Sequence, residues 1–260
     1  MNVTGAVIVI TGAGGGIGAA LARAFAQSDP AHMLLLDLEL AGLESVAREL
    51  GGTDITFDRC DVSWAEEIRE KVERLVVQRG RVDLFCSNAG VFLSGDVDAP
   101  TKDWQLSMGV NLMAHVYAAD ACLPHMLRQG RGYFLNTVSA AGLLAQIGSA
   151  PYTVSKHAAL GFAEWLAITY GERGIGVTAL CPQGVNTKML DDLENVNSVA
   201  SDGIVSAEDV ASCALKALES EQFLALPHPG VAEYFRRKAE NHDRWIRGMQ
   251  RFQASLGQTR

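Results

Sequence analysis

Short paired cysteine spacings are missing from this sequence. Its five cysteines, Cys60, Cys86, Cys122, Cys181 and Cys213, are odd in number and far apart. That excludes a disulfide-stapled fold and the usual zinc or redox motifs, and leaves reduced, mostly buried thiols. An excess of positive charge is missing too. Lys and Arg number 22 against 30 Asp and Glu, a net charge of −8. An acidic surface repels phosphate backbones and anionic headgroups, so neither nucleic acid nor a membrane is an expected partner. No Lys or Arg precedes Arg23, and the first apolar run, Ala6 to Ile10, is short for the core of a signal peptide, so the expected compartment is the cytoplasm. Gly132 to Ser155 carries no charged residue, yet its Asn136, Ser139, Gln146 and Pro151 suit an interior with partners better than lipid. His115, His125, His228 and His242 have no metal-ligand spacing, so no metal is expected. No repeat, low-complexity tract or linker divides the chain, and residues 1–260 are expected to form one domain.

What is present is an alternation. Short aliphatic runs at Ala6 to Ile10, Met33 to Asp37, Ile55 to Asp58, Val82 to Cys86, Gly132 to Thr137, Gly176 to Ala179 and Phe223 to Leu226 are separated by longer amphipathic segments. This pattern predicts an α/β fold, a doubly wound, Rossmann-like parallel sheet of about seven strands with helices on both faces. Ser63 with Glu66 and Ser206 with Asp209 mark two helix starts. Two segments break the rhythm. Residues 188–205 are polar and acidic through Asp191, Asp192, Glu194 and Asp202, and follow a strand, which suits either a substrate loop over the strand ends or a plain surface excursion. Residues 231–252 place Phe235, Ala239, Trp245, Met249 and Phe252 at helical spacing and carry a charge of +3, leaving −11 on the rest. This C-terminal helix is expected to pack on the domain or on a sister subunit.

The first strand runs directly into Thr11-Gly12-Ala13-Gly14-Gly15-Gly16-Ile17-Gly18, followed by the apolar helix pattern Ala19 to Ala26. Glycines between a strand and a helix let backbone N–H groups approach a pyrophosphate, with the positive helix end behind them. Asp37 closes the second strand, 19 residues past Gly18, where a dinucleotide fold places the group that meets the adenosine ribose. A carboxylate there accepts from the ribose hydroxyls and repels a 2′-phosphate. With no Lys or Arg in the turn, the expected cofactor is NAD rather than NADP.

Further motifs follow in order: Cys60-Asp61-Val62, Asn88-Ala89-Gly90, Asn111, Ser139, Tyr152-x-x-x-Lys156 and Pro182-Gln183-Gly184-Val185-Asn186-Thr187. With the glycine turn, this series resembles the one-domain, NAD-preferring form of the short-chain dehydrogenase/reductase family from Val7 to about Ala225. Two positions depart from the commoner pattern: Ser87 stands before Asn88, and Gln183 replaces a glycine. The resemblance implies cofactor contacts from Gly12, Gly14, Gly15, Gly16, Ile17, Gly18, Asp37, Leu38, Cys60, Asp61, Val62, Asn88, Ala89, Gly90, Tyr152, Lys156, Pro182, Gly184, Val185 and Thr187. It also implies that Asn111 shapes a helix kink holding a water that links Lys156 to solvent.

Tyr152 and Lys156 are four residues apart in a helical pattern and so share a face. A phenol ionises near ~10, and a neighbouring ammonium together with an oxidised nicotinamide would favour the phenolate. Tyr152 is then the acid/base, and Ser139 has the chemistry to hold the substrate oxygen while hydride moves to the nicotinamide. His157 points away from Lys156 around the helix and is expected to be structural. The expected activity is interconversion of a secondary alcohol and a ketone. The alternatives are an NADPH-linked carbonyl or ketoacyl reductase, a catalytically idle cofactor-sensing regulator or scaffold, and a nucleophilic dehalogenase. Val91, Phe92, Ala141, Leu143, Gln146, Gln183 and Met189 are expected to line the pocket and favour a neutral, moderately hydrophobic alcohol. The segments Thr101 to Arg128 and Pro151 to Glu172 resemble helices through which family members pair, which implies a homodimer or homotetramer.

Overall fold

A computed structural model describes residues 1–191 and 202–257. The chain alternates β1 (Val7–Thr11), α1 (Gly16–Ala26), β2 (His32–Asp37), α2 (Leu40–Glu49), β3 (Ile55–Arg59), α3 (Ala65–Arg79), β4 (Leu84–Ser87) and α4 (Thr101–Met108). A π-helical turn at Gly109–Met113 leads into α5 (Ala114–Gln129), then β5 (Gly132–Thr137), α6 (Ala140–Leu143), α7 (Ala150–Tyr170), β6 (Ile175–Leu180) and α8 (Lys188–Asp191). The described residues end with α9 (Ala207–Glu219), β7 (Leu224–Ala225), α10 (Pro229–Glu240) and α11 (His242–Gly257).

All strand pairs are parallel, in the order β3-β2-β1-β4-β5-β6-β7. This is the doubly wound sheet the alternation predicts. Side chains alternate across each strand, so Val7 and Val9 enter one core with Ile68, Val72, Cys122, Ala159 and Leu166. Ile8 and Ile10 enter the other with Leu21, Phe25, Leu43, Val210 and Leu218. Helices α3, α5 and α7 thus cover one face, and α1, α2 and α9 the other. Burial on both sides explains why the central strands read as unbroken apolar runs. Strand β3, at the sheet edge, has no fully buried residue and carries Thr56, Asp58 and Arg59.

Crossovers leave in opposite directions from β1 and β4, which are neighbours in the sheet. Their C-terminal ends therefore bound an open crevice, where a parallel sheet receives ligands. The uncharged stretch from Gly132 to Ser155 is divided among β5, α6 and the start of α7. No helix among the described residues is long and apolar enough to cross a membrane.

Local signals at helix ends fare unequally. Ser206 Oγ accepts from the Asp209 N–H at 3.0 Å while the Asp209 carboxylate accepts from Ser206 N–H at 3.4 Å, a complete capping box for α9. Ser63 does not cap α3. Its hydroxyl donates to Asp61 Oδ1 at 2.6 Å, and α3 begins after Trp64 with no side-chain cap. A carboxylate two residues away is a stronger acceptor and captures the serine. The C-terminal segment forms two helices, because Asn241 takes an extended conformation (φ −154°, ψ 91°) between α10 and α11. Of the acidic segment 188–205, Asp192 and Glu194 lie outside the described residues. Lys188–Asp191 is a helical turn, and Val205 bridges to Val185.

Candidate active site

The glycine turn is shaped by close backbone approach. A Cβ on Gly18 would lie 2.0 Å from the Gly12 carbonyl oxygen, and one on Gly12 would lie 2.9 Å from Ala89 Cα. These positions admit no side chain. Gly15 is different: a Cβ there would meet nothing within 4 Å, and as the residue before α1 it provides no side-chain cap. The first-turn N–H groups of α1 therefore face the crevice, with no acidic residue among them. That is the surface an anionic pyrophosphate requires.

Thr11 joins the two crevice walls. Its Oγ1 accepts from the N–H groups of Asn88 (2.9 Å) and Ala89 (3.1 Å). Asn88 Nδ2 donates to Thr11 O at 3.1 Å, and Asn88 Oδ1 accepts from Thr137 Oγ1 at 3.0 Å. Asn88 thus ties the ends of β1, β4 and β5 together. Thr187 reaches the same turn from beyond β6; its Cγ2 would lie 3.2 Å from a Cβ on Gly16. Asp37 Oδ2 accepts from Gly14 N–H at 2.9 Å, which sets its carboxylate beside the turn. Cys60 N–H donates to Asp37 O at 2.8 Å, placing Cys60-Asp61-Val62 next to Asp37, while Leu38 is exposed beside them.

Across the crevice, Ser139 follows β5, and Tyr152 and Lys156 lie on α7. The helix start is fixed by Ser149, whose Oγ accepts from Tyr152 N–H at 3.2 Å and donates to Leu93 O. The Ser139 hydroxyl lies close enough to the Tyr152 phenol to favour its ionised form. Lys156, only 3% exposed, donates to Thr137 O at 3.0 Å, and its Nζ lies 5.7 Å from the centre of the Tyr152 ring. Sequence-distant groups thus converge at the crevice.

The electrostatics differ from the simplest expectation. Burial pushes the Tyr152 phenol above its ordinary value, and the nearby Ser139 hydroxyl opposes this. The Lys156 ammonium donates to Thr137 O and stands over the Tyr152 ring rather than at its hydroxyl. Lys156 itself is lowered to about 8 by burial.

Asn111 is fully buried within the π-helical turn. Its Oδ1 accepts from Val91 N–H at 2.9 Å, and its Nδ2 donates to Val91 O at 3.0 Å and to Ser155 Oγ at 3.1 Å. The side chain therefore holds the loop following Gly90 against α7, at the point where the helix widens. Gly90 is the contact residue: a Cβ there would lie 3.3 Å from Asn111 Oδ1 and 3.6 Å from Lys156 Nζ.

His115, one turn beyond Asn111, was missed as a member of this cluster. It is 1% exposed and lies against Asn136. Neither of its ring nitrogens, nor Asn136 Nδ2, has a hydrogen-bond partner among the described residues. Burial, helped by the Lys156 charge, lowers His115 to about 3, so the ring is neutral. A polar residue on an otherwise apolar helix face was the available signal.

Of the expected pocket residues, Phe92 packs edge-on against Tyr152, with ring centres 5.2 Å apart. Ala141 and Leu143 are buried on α6, directly after Ser139, and Gln146 donates its backbone N–H to Thr153 Oγ1 at 2.9 Å. Gln183 gives its backbone N–H to His228 Nδ1 at 3.1 Å, and His228 Nε2 donates to Gly184 O at 3.1 Å. The Pro182 to Thr187 turn is thereby anchored to the residue before α10. Met189 is part-buried on α8.

A family model of short chain dehydrogenases matches residues 6–197. The chain belongs to that family. It is 35% identical over 225 residues to 1-deoxy-11-beta-hydroxypentalenate dehydrogenase of Streptomyces exfoliatus, covering 83% of this chain and 80% of that protein. It is 32% identical over 184 residues to meso-2,3-butanediol dehydrogenase of Serratia marcescens, covering 70% and 72%. Among solved structures, a short chain dehydrogenase/reductase from Burkholderia phymatum in complex with NAD superimposes with a TM-score of 0.86 at 28% identity, covering 94% of this chain and 96% of that one. This chain is accordingly an oxidoreductase of the family.

Proposed function

We propose that this protein is an NAD-dependent dehydrogenase that interconverts a secondary alcohol and its ketone, with residues 1–260 acting as one domain. The observation that carries the reading is the convergence of Ser139, Tyr152 and Lys156 opposite an uncapped glycine turn flanked by Asp37. The relatives named above act on hydroxyl compounds, and the structural neighbour binds NAD, which supports the same conclusion.

The residues present fit the cofactor. The α1 end and the glycine N–H groups would hold the pyrophosphate, and Asp37, with one bond at each oxygen among the described residues, keeps acceptor capacity for the ribose hydroxyls. When bound, oxidised NAD supplies the hydride acceptor and a positive ring. Ser139 holds the alcohol oxygen, and Tyr152 takes its proton as the ketone forms; in the reverse direction it returns it. Bringing a phenol from ~10 to neutrality takes about 4 kcal/mol. Hence the reaction needs the Lys156 charge kept beside the ring, and alcohol oxidation accelerates as pH rises towards about 8, where Lys156 begins to lose that charge. Asn111, Thr137 and Gly90 keep Lys156 in place. Phe92, Ala141, Leu143 and Gln146 form a mostly apolar wall suited to a neutral alcohol. Exposed Leu106, Val154, Trp165 and Ile168 on α4 and α7 suit pairing with another copy.

Absorbance of reduced nicotinamide during single turnover with a panel of secondary alcohols tests the chemistry. Tyr152→Phe should lower the rate by about 10² to 10⁴-fold, and an unchanged rate removes the base. Asp37→Ser should improve the dissociation constant for NADP relative to NAD by about tenfold or more. A wild-type preference for NADP would defeat the cofactor assignment.

A further inference from the structure

Helix α10 reaches the segment behind Ser139 through one side chain. Lys238 Nζ donates to Leu143 O at 2.7 Å and to Leu144 O at 3.2 Å, and stands 3.4 Å from His157 Nε2. His157 Nδ1 lies 2.9 Å from Thr153 O, a carbonyl that can only accept. The proton is therefore on Nδ1, and Nε2 offers a lone pair to the ammonium. All three N–H bonds of Lys238 thus have an acceptor in the protein.

The location gives this arrangement its meaning. Leu143 and Leu144 end α6, the single turn that starts at Ser139, and their carbonyls are the ones a helix cannot satisfy internally. A cation at that end also complements the negative pole of the helix dipole. His157 is the neighbour of Lys156 on α7. One ammonium on α10 therefore joins α6 and α7, through partners 81 to 95 residues earlier in the sequence. The other cations of α10 behave differently: Arg236 and Arg237 pair with Glu233, and Arg236 also with Glu240, on their own helix.

We propose that Lys238 is a positioning residue that sets substrate specificity by clamping the wall from Leu143 to Gln146 against α7. This rests on the reading of that wall as the alcohol pocket. With its donors consumed by the protein, Lys238 does not serve as an anchor for an acidic substrate, and the substrate class stays a neutral alcohol whose size the clamped wall limits.

The test uses the full chain with Lys238→Met, Lys238→Arg and His157→Leu, and Arg236→Gln as control. The probes are 2-propanol, 2-butanol, 2,3-butanediol, cyclohexanol and 2-octanol with NAD. Lys238→Met should raise KM for the best of these about tenfold while kcat stays within about threefold, and the ranking should shift towards the bulkier alcohols. The NAD dissociation constant should not move, amide exchange at Gly142 and Leu144 should quicken, and Lys238→Arg should restore part of the KM. Arg236→Gln should match wild type throughout. A folded Lys238→Met with wild-type KM ranking and wild-type exchange overturns the proposal, as does a fall in kcat alone. Should that variant fail to fold, His157→Leu carries the same readouts, with a smaller KM rise expected and no change overturning the clamp. If wild type reduces NAD with none of the alcohols, the parent reading fails, while the exchange comparison still decides the clamp.

Discussion

The two walls of the crevice are built from different materials. On the side of β1 and β2, the geometry comes from the main chain: glycines packed against carbonyls, an uncapped helix end, and one carboxylate held by a backbone N–H. On the side of β5 and α7 it comes from side chains, with Asn111, Ser139, Ser149, Tyr152, Lys156 and Lys238 each held by partners from another element. The first design tolerates no added atom at its contact points, yet asks little of the rest of the chain. The second depends on the whole fold, because its groups meet only once the sheet, α5, α7 and α10 are in place. Cofactor binding and substrate choice are therefore exposed to different kinds of damage.

The sharpest way to break the contrast is at the glycines. Gly18→Ala should weaken NAD binding by on the order of 100-fold and lower stability by several kcal/mol, since its Cβ has no room beside Gly12 O, whereas Gly15→Ala should sit within about 0.5 kcal/mol of wild type. Calorimetric titration and thermal melting measure both; equal effects at the two positions would show that the turn is not packed as described.

On the side-chain wall, His115 provides a pH test. Its folded-state pKa of about 3 lies below the unfolded 6.5, so the unfolded chain binds the extra proton between these values. Its contribution is complete above 6.5 and is lost as pH falls towards 3, at up to about 1.4 kcal/mol per pH unit. Urea unfolding of His115→Leu should show a flatter acid limb than wild type. A slope identical in both would mean that the ring is not held neutral beside Lys156 and Asn136.

The smallest effect compares Ser206, which caps α9, with Ser63, which does not cap α3. Ser206→Ala should cost about 1 kcal/mol and about 2–4 °C in Tm. Ser63→Ala should cost less, because it loses only a local bond to Asp61. Reversed values would restore Ser63 as a helix cap.

The strand and helix succession, the glycine turn and Asp37 were legible from residue order, since each rests on local periodicity or on a contact between neighbouring loops. Tyr152 and Lys156 were legible as a pair through their helical spacing, and Ser139 through its place after β5. The direction of the Tyr152 shift was not, because burial depends on what surrounds the ring rather than on who precedes it. Nor was the break at Asn241, which divides a pattern whose apolar spacing alone reads as continuous.

The amino-acid order by itself determined which segments become strands and helices and which backbone can approach an anion, because these follow from φ/ψ preference and apolar period over a few residues. Only the tertiary structure decided that His115 is neutral, that Ser63 bonds to Asp61 instead of α3, and that Lys238 closes on Leu143 and His157. Desolvation and competition for hydrogen-bond partners are settled by everything packed within a few ångströms, and that company is assembled from distant parts of the chain.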